Sequence, residues 1–182
     1  MNVTHEGRRF NPSEIGRIHR SLSKAVECLE AYYRFSPREW FHYGFDLRTA
    51  RDLGPGVPPR PPHVLAEVAR SVPRGAAAQE AKPAGGPPCQ DVYAIVLYDA
   101  NILRLTSGRP EADFDRLLLL ILTHELVHIA RFFHQADYDA PETERLPEET
   151  RVHRLTRRVL ERLGDPELLA LADAHTSGEY SF

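Results

Sequence analysis

Cysteine is scarce in this 182-residue chain, which contains only Cys28 and Cys89. Two thiols cannot form the disulfide framework of a small secreted domain, and they are too few for a zinc site made of cysteines alone. The longest purely aliphatic run, residues 117–122, is far shorter than the roughly 20 residues of a membrane-spanning helix. Because residues 1–20 also contain no apolar stretch of signal-peptide length, we expect a cytoplasmic protein without a membrane partner.

An excess of charge of either sign is also missing. The 23 basic and 26 acidic residues leave a formal net charge of −3, so the whole chain has no general attraction for nucleic acid or an anionic membrane. With 42% hydrophobic and 27% charged residues, the composition is that of an ordinary globular protein. The length suits a single domain with its own hydrophobic core.

Proline and glycine are concentrated in residues 54–90, which contain "GPGVPPRPP", "VPRG" and "KPAGGPPC". This stretch indicates a linker or large surface excursion, interrupted by one short helix over "HVLAEVARS". It separates an N-terminal helical segment, residues 1–53, from a core over residues 91–182. We interpret the whole chain, residues 1–182, as one domain of the α+β class, mainly helical with a small β-hairpin or sheet.

Local signals predict two helices in the N-terminal segment. Asn11 followed by Pro12 is typical of a helix start, and apolar residues at helical spacing extend that helix over residues 13–34. Ser36 and Pro37 interrupt the pattern. A second helix beyond them is predicted to carry a cluster of large aromatic side chains for packing: Trp40, Phe41, Tyr43 and Phe45.

The C-terminal part is predicted to begin with strands and continue as helices. Residues 91–106 favour two strands around a turn at residues 99–101, and apolar residues on both faces indicate that the first strand is covered on both sides. A long helix is predicted over 113–133 and another from Pro147 to Leu163. A short helix over 166–175 follows Gly164.

The stretch "LTHELVHIARFFH", residues 122–134, places polar groups inside a helix that is otherwise apolar. His124 and His128 are four residues apart, so they lie on one face of the helix. Two imidazoles so placed can bind one zinc ion while Glu125 acts as a general base. Burying even one neutral polar group without a partner costs roughly 2–7 kcal/mol, a cost that coordination to a divalent cation removes. The alternative is a polar stripe that faces solvent.

This H-E-x-x-H stretch resembles the active-site helix of the zincin superfamily of metallopeptidases. Over residues 91–163 the predicted order of hairpin, motif helix, loop and later ligand helix is similar to that of small gluzincin-type peptidases. The resemblance implies a zincin-like core and a zinc-dependent hydrolase of peptide or protein substrates, with Zn²⁺ on His124 and His128 and with Glu125 as base. It also implies that an extended substrate adds to an edge strand of the hairpin.

The third metal ligand has candidates in two regions. His134 has the separation from His128 that the metzincin branch shows, but Arg131 stands where that branch has the glycine that ends the helix. If the helix continues through Arg131, His134 lies about 9 Å along the axis from His128. The later helix is therefore favoured as the source of this ligand.

That later helix offers Glu148, Glu149 and His153. In gluzincin-type enzymes a glutamate on such a helix is the third ligand, and an acidic residue four positions on supports a motif histidine. Glu149 and His153 have this spacing, although histidine replaces the acid. Glu149 is our preferred ligand, with His153 as an alternative ligand or a supporting residue and Glu148 as a further alternative. Both glutamates could instead only favour the helix dipole.

A peptidase also needs a donor that stabilises the oxyanion of the tetrahedral intermediate, and the sequence offers several candidates without ranking them. They are His134, Tyr138, His153, His175 and Tyr180.

Two other functions have some support in the sequence. An arginine face on the later helix could contact phosphates in a nucleic-acid-binding module, although neighbouring glutamates balance its charge. A metal could also serve structure or regulation in a protein that is not a peptidase. The arginines of the face on the later helix are Arg151, Arg154, Arg157, Arg158 and Arg162. The sequence specifies neither the oligomeric state nor the substrate preference.

Overall fold

The structure is a computed structural model that describes residues 8–35, 44–49, 52–53, 60–71, 92–108, 110–134 and 136–176. Within these ranges the chain is α+β and mainly helical, as predicted, with five helices and one three-stranded sheet. The helices are α1 (Pro12–Tyr33), α2 (Asp99–Thr106), α3 (Glu111–His134), α4 (Glu142–Glu161) and α5 (Pro166–Thr176). The strands are β1 (Phe45–Thr49), β2 (Ala66–Ser71) and β3 (Val92–Leu97).

Helix α1 begins as its sequence predicts. The side chain of Asn11 accepts a hydrogen bond from the backbone N–H of Glu14 (2.9 Å), and the Glu14 carboxylate accepts one from the N–H of Asn11 (2.7 Å). This reciprocal cap satisfies two of the backbone donors that the first turn of a helix leaves unpaired. Ile18, Ala25 and Leu29 form the buried face of the helix.

Helix α3 lies at the centre of the hydrophobic core. Its side chains Leu118, Ile121, Leu122 and Leu126 are fully buried. Helix α1 and the sheet cover it on one part of its circumference, and α4 and α5 cover another. This covering explains why α3 is apolar around most of its surface. No helix in the described ranges combines the length and the apolar character required to cross a bilayer.

The sheet has the order β1–β3–β2, with β1 parallel and β2 antiparallel to the central strand. Ile95 of β3 pairs with Leu47 on one side and with Val68 on the other. Residues Tyr93 to Leu97 are all buried, and because successive side chains of a strand point to opposite faces, this confirms that β3 is covered on both faces. Strand β1 precedes the Pro/Gly-rich stretch of residues 54–90, β2 lies inside it and β3 follows it, so this stretch contributes a strand to the sheet.

The predicted hairpin over residues 91–106 is wrong in its second half. Residues 99–106 form helix α2, in which Ile102 and Leu103 are buried while Arg104 is exposed. The Asn101 side chain donates hydrogen bonds to the carbonyls of Pro61 (2.9 Å) and Val64 (2.7 Å). A short apolar run is compatible with either a strand or a helix, and these contacts with a distant segment decide for the helix.

The short helix predicted over "HVLAEVARS" is also wrong. Residues 66–71 of that segment form strand β2, which pairs with β3 along its whole length. Alanine and glutamate favour a helix locally, but the hydrogen bonds of the sheet override that preference. Of the aromatic cluster, Phe45 begins strand β1 and not a helix. The other three members, Trp40, Phe41 and Tyr43, lie outside the described residues.

The last two helices agree with the prediction except at one boundary. Helix α4 begins at Glu142, so Pro147 lies inside the helix and not at its start. Pro147 has no N–H, so α4 lacks the backbone hydrogen bond that this residue would donate to the carbonyl four positions earlier. Gly164 adopts a positive φ of 63° in the connection between α4 and α5, a conformation that suits glycine.

Candidate metal centre

The two motif histidines lie next to each other on α3, as the four-residue spacing predicts. Their Nε2 atoms are 3.1 Å apart, and their ring centroids are 4.8 Å apart. His124 is 1% exposed, whereas 16% of the His128 side chain is exposed. The pair therefore combines one fully enclosed imidazole with one that solvent can reach.

Helix α3 continues through Arg131 and ends at His134. The carbonyl of Arg131 then accepts a hydrogen bond from the backbone N–H of Ala136 (2.9 Å). Thus the turn that would bring a histidine at position 134 back toward His128 does not occur at residue 131. The side chain of His134 and all of Tyr180 lie outside the described residues, so their candidacy as oxyanion donors stays a prediction.

Glu149 of helix α4 brings its carboxylate to the motif histidines. Its Oε1 atom lies 3.1 Å from His124 Nε2, and its Oε2 atom lies 3.2 Å from His128 Nε2. Around a tetrahedral zinc ion with bonds of about 2.0–2.1 Å, neighbouring ligand atoms are about 3.3 Å apart. The three side chains therefore lie close to one another, and Glu149, our preferred third ligand, lies at the histidine pair.

Glu148 turns toward a different partner. It forms a two-point ion pair with Arg131, whose Nη2 lies 2.9 Å from Glu148 Oε2 and whose Nε contacts Oε1. Side-chain exposure is only 11% for Arg131 and 17% for Glu148. The neighbouring glutamates thus have different partners. Glu148 joins α4 to α3 through Arg131, and Glu149 faces the histidines.

His153 and His175 complete the cluster from α4 and α5. His153 Nε2 is 2.9 Å from Glu149 Oε1, and the ring centroids of His153 and His175 are 4.3 Å apart. The ring of His175 is also 5.2 Å from that of His124. The four residues His124, Glu149, His153 and His175 have ligand atoms within 4.8 Å of one another, a group that could hold a metal ion.

His175 is the member that sequence reasoning did not identify as a ligand. The sequence makes His175 a candidate only as an oxyanion donor, because no spacing rule connects it to a motif about 50 residues earlier. The helix break at Gly164 is the only local signal, since it allows α5 to fold back along α3 and α4. His175 is 4% exposed, and its ring lies beside those of His124 and His153.

The pKa of each group in the cluster is shifted by its surroundings, and the shifts differ in direction. Burial lowers the pKa of His124 to about 3, so its imidazole is neutral at pH 7. Burial also lowers the pKa of His128, but hydrogen bonding to Glu149 and nearby carboxylates reverse that effect and raise it. Burial raises the pKa of Glu149, yet hydrogen bonds to three histidines outweigh it and hold that pKa far below the usual range. Glu149 is therefore ionised.

Glu125 is buried beside the cluster at 2% exposure. Burial raises its pKa to about 7, with a smaller opposing effect from His128. Its Oε1 atom has no hydrogen-bond partner within the described ranges. A carboxyl group with a pKa near neutrality can both accept and return a proton, which is what a general base that later acts as an acid requires.

A groove of about 530 Å³ leads to this centre. Its walls come from β2, the end of α3, the connection over residues 136–141 and the first turns of α4. His128 and Glu149 lie in the groove wall together with Val68 and Tyr138. Neither strand of the predicted hairpin is an edge strand, because β3 is central in the sheet and residues 99–106 are helical. The strand that borders the groove is β2.

Tyr138 lies across the open edge of β2. Its hydroxyl is 3.3 Å from the backbone nitrogen of Arg70 and 3.4 Å from the carbonyl oxygen of Val68. The Arg70 side chain adds an ion pair to Asp139 (2.7 Å). These contacts join the connection over residues 136–141 to the strand that borders the groove.

The arginine face of α4 is partly neutralised by its neighbours. Arg157 forms ion pairs with Glu161 and with Asp173 (2.6 Å), and Arg151 lies 3.6 Å from Glu148. Charges paired in this way have less free energy to gain from phosphates. The contacts give the nucleic-acid-binding alternative no additional support.

Comparison of the chain with protein-family models, with curated proteins and with solved structures finds no match. A function for this chain therefore has to be inferred from the geometry of the cluster and of its groove.

We expect Arg131→Met to lower the free energy of unfolding at pH 7 by about 2 kcal/mol, between the values typical of exposed and buried ion pairs. The hydrogen bond from Arg131 holds the pKa of Glu148 below 4.5, so the pair stabilises the fold above that pH and loses its effect as the pH falls. Urea unfolding at pH 7 and at lower pH, at one fixed metal concentration, measures both effects.

Arg154→Met is the matched control, because Arg154 is an exposed arginine on α4, the helix that carries Glu148. It should change the unfolding free energy by less than about 0.5 kcal/mol. An equal cost for both variants, or a cost for Arg131→Met that does not shrink in acid, would contradict the assigned role of the ion pair.

Proposed function

We propose that this protein is a zinc-dependent peptide-bond hydrolase with a zincin-like core. The observation that supports this most is the position of Glu149, whose carboxylate oxygens lie 3.1 Å from His124 and 3.2 Å from His128. A glutamate on a later helix thus meets the H-E-x-x-H pair, as in the gluzincin-type arrangement that the sequence resembles. Nitrogen and oxygen donors of this kind suit zinc among the common divalent ions.

Each residue of the proposed centre has a distinct task. His124, His128 and Glu149 would hold the metal, and three protein ligands leave room for substrate and water. A bound zinc ion would lower the pKa of water and polarise the substrate carbonyl. Glu125 would take a proton on its buried carboxylate and deliver it to the leaving amine. Burial supports this task, because a pKa of about 7 favours both transfers near neutral pH.

The groove supports an extended peptide as the substrate. It runs beside the edge strand β2 and reaches His128 and Glu149, so a chain segment in it would pass the proposed metal. Backbone groups of Val68 and Arg70 at this edge bond to the Tyr138 hydroxyl, so a peptide strand that paired with them would replace those bonds. The hydroxyl released in this way is our preferred donor for the oxyanion, because Tyr138 is the groove-lining candidate that is not among the proposed ligands.

A metal site without hydrolytic activity is the second candidate. It is favoured by the number of protein donors, since four ligand atoms from His124, Glu149, His153 and His175 lie within 4.8 Å of one another. Four protein ligands around one ion are typical of structural zinc sites, which have no open position. On this alternative, Glu125 would have no substrate to act on.

Metal removal tests the proposal. We expect purified protein to contain a stoichiometric divalent metal and to hydrolyse a mixture of unstructured peptides, followed by mass spectrometry. Dialysis against a chelator should abolish hydrolysis, and stoichiometric zinc should restore it, because the metal and Glu125 act together. Protein without bound metal, or hydrolysis that survives chelation, would contradict the proposal. Metal with a stabilising effect but no hydrolysis would favour the second candidate.

A further inference from the structure

The cluster contains more metal-binding side chains than one hydrolytic zinc centre uses. Such a centre needs three protein ligands. Here four histidines and Glu149 form one continuous group, in which two imidazoles, those of His153 and His175, have no task in the proposed hydrolysis. Their rings are 4.3 Å apart, and His175 is only 4% exposed.

The five side chains divide into two sets around the carboxylate of Glu149. On one side, Oε2 faces His128, and the Nε2 atoms of His128 and His124 are 3.1 Å apart. On the other side, Oε1 lies 2.9 Å from His153 Nε2, and His175 packs against His153. Oε1 is also 3.1 Å from His124 Nε2, so His124 borders both sets. Apart from His124, the first set offers His128 and Oε2, and the second offers His153, His175 and Oε1.

The second set consists of donors that suit a divalent cation. Neutral imidazoles are strong ligands for divalent transition metals. The ionised carboxylate of Glu149 lies between the two sets, so it can offer one oxygen to each.

We propose that His153, His175 and Oε1 of Glu149 bind a second divalent cation, with Glu149 bridging it to the first. This proposal rests on the metal centre of the proposed function and adds a second position to it. Paired metal sites in hydrolases have ions about 3.5–4 Å apart, a distance that one bridging carboxylate can span. His124 lies next to both sets, with its ring 5.2 Å from those of His153 and of His175, which places it at the junction of the two positions.

The measurement is the number of metal ions per chain. The full metal-free protein is titrated with Co²⁺, whose visible absorption reports coordination, and zinc-loaded protein is analysed by elemental mass spectrometry. We expect two equivalents in the wild type. In His175→Gln we expect one equivalent, because the first set is intact.

His19→Gln is the matched control, since His19 is an exposed histidine on α1. It should retain two equivalents, which excludes binding to surface histidines. Circular dichroism checks the fold of each variant. If His175→Gln does not fold, His153→Gln replaces it and should also bind one equivalent.

The outcomes separate the two proposals. One equivalent in the wild type overturns the second position and leaves the first centre standing. No bound metal overturns both. Two equivalents in the wild type that persist in folded His175→Gln and His153→Gln would mean that the second ion binds elsewhere, which also overturns the proposal.

Discussion

Glu125→Gln is expected to lower peptide hydrolysis by about 10²–10⁴-fold while the protein retains its metal. The amide has nearly the same size as the carboxylate but cannot take up a proton, so it removes the proposed base without opening a cavity. The change also removes a buried charge, since Glu125 is only 2% exposed. We therefore expect no loss of stability. Turnover of unstructured peptides, metal content and thermal unfolding are measured on the same preparations.

The control for this variant is Glu27→Gln, which changes an exposed glutamate on α1 in the same way. It should match the wild type in all three measurements. Unchanged hydrolysis in Glu125→Gln would remove Glu125 from the mechanism. Loss of metal together with activity would mean that Glu125 helps to hold the ion and would leave the general base unassigned.

Glu149→Gln is expected to weaken metal binding by more than about 100-fold, because changes to residues that only support a ligand already cost 10–100-fold. The Glu149 carboxylate lies within 3.2 Å of three histidines, and an amide oxygen is a poorer ligand without the negative charge. Competition with a chromophoric chelator measures the affinity for the first metal equivalent. Hydrolysis should fall in parallel with metal content and should recover partly in excess zinc.

The neighbouring residue provides a matched control. Glu148→Gln makes the same substitution one position earlier, but Glu148 faces Arg131 and not the histidines. It should keep the affinity for metal and lose only part of the stability that the ion pair contributes. The opposite result, with Glu148→Gln losing metal and Glu149→Gln retaining it, would assign the third ligand to Glu148.

Helices with strong local signals were predictable from the sequence. Helix α1 has a capping box and a regular apolar face, and α3 has an apolar pattern that extends over its whole length. The relation between His124 and His128 follows from helix geometry alone. Arg131 predicted that the motif helix does not end at that position, because the glycine that would end it is absent. Helix α3 does continue to His134.

Short segments were less predictable because their conformation depends on distant partners. Residues 66–71 favour a helix locally but form β2, since β3 offers a full set of backbone hydrogen bonds. Residues 99–106 are apolar enough for a strand but form α2, where Asn101 bonds to the carbonyls of residues 61 and 64. Neither partner can be identified from the segment itself.

The sequence by itself determined the motif helix, the pairing of His124 with His128 on it, and the restriction of the candidates for a third metal ligand to two regions. These are properties of a few adjacent residues and of helical periodicity. Only the tertiary structure decided that Glu149 faces the motif histidines while Glu148 pairs with Arg131, and that His175 joins the cluster. The physical reason is that packing of α4 and α5 on α3 sets which side chains meet, and this depends on the whole core.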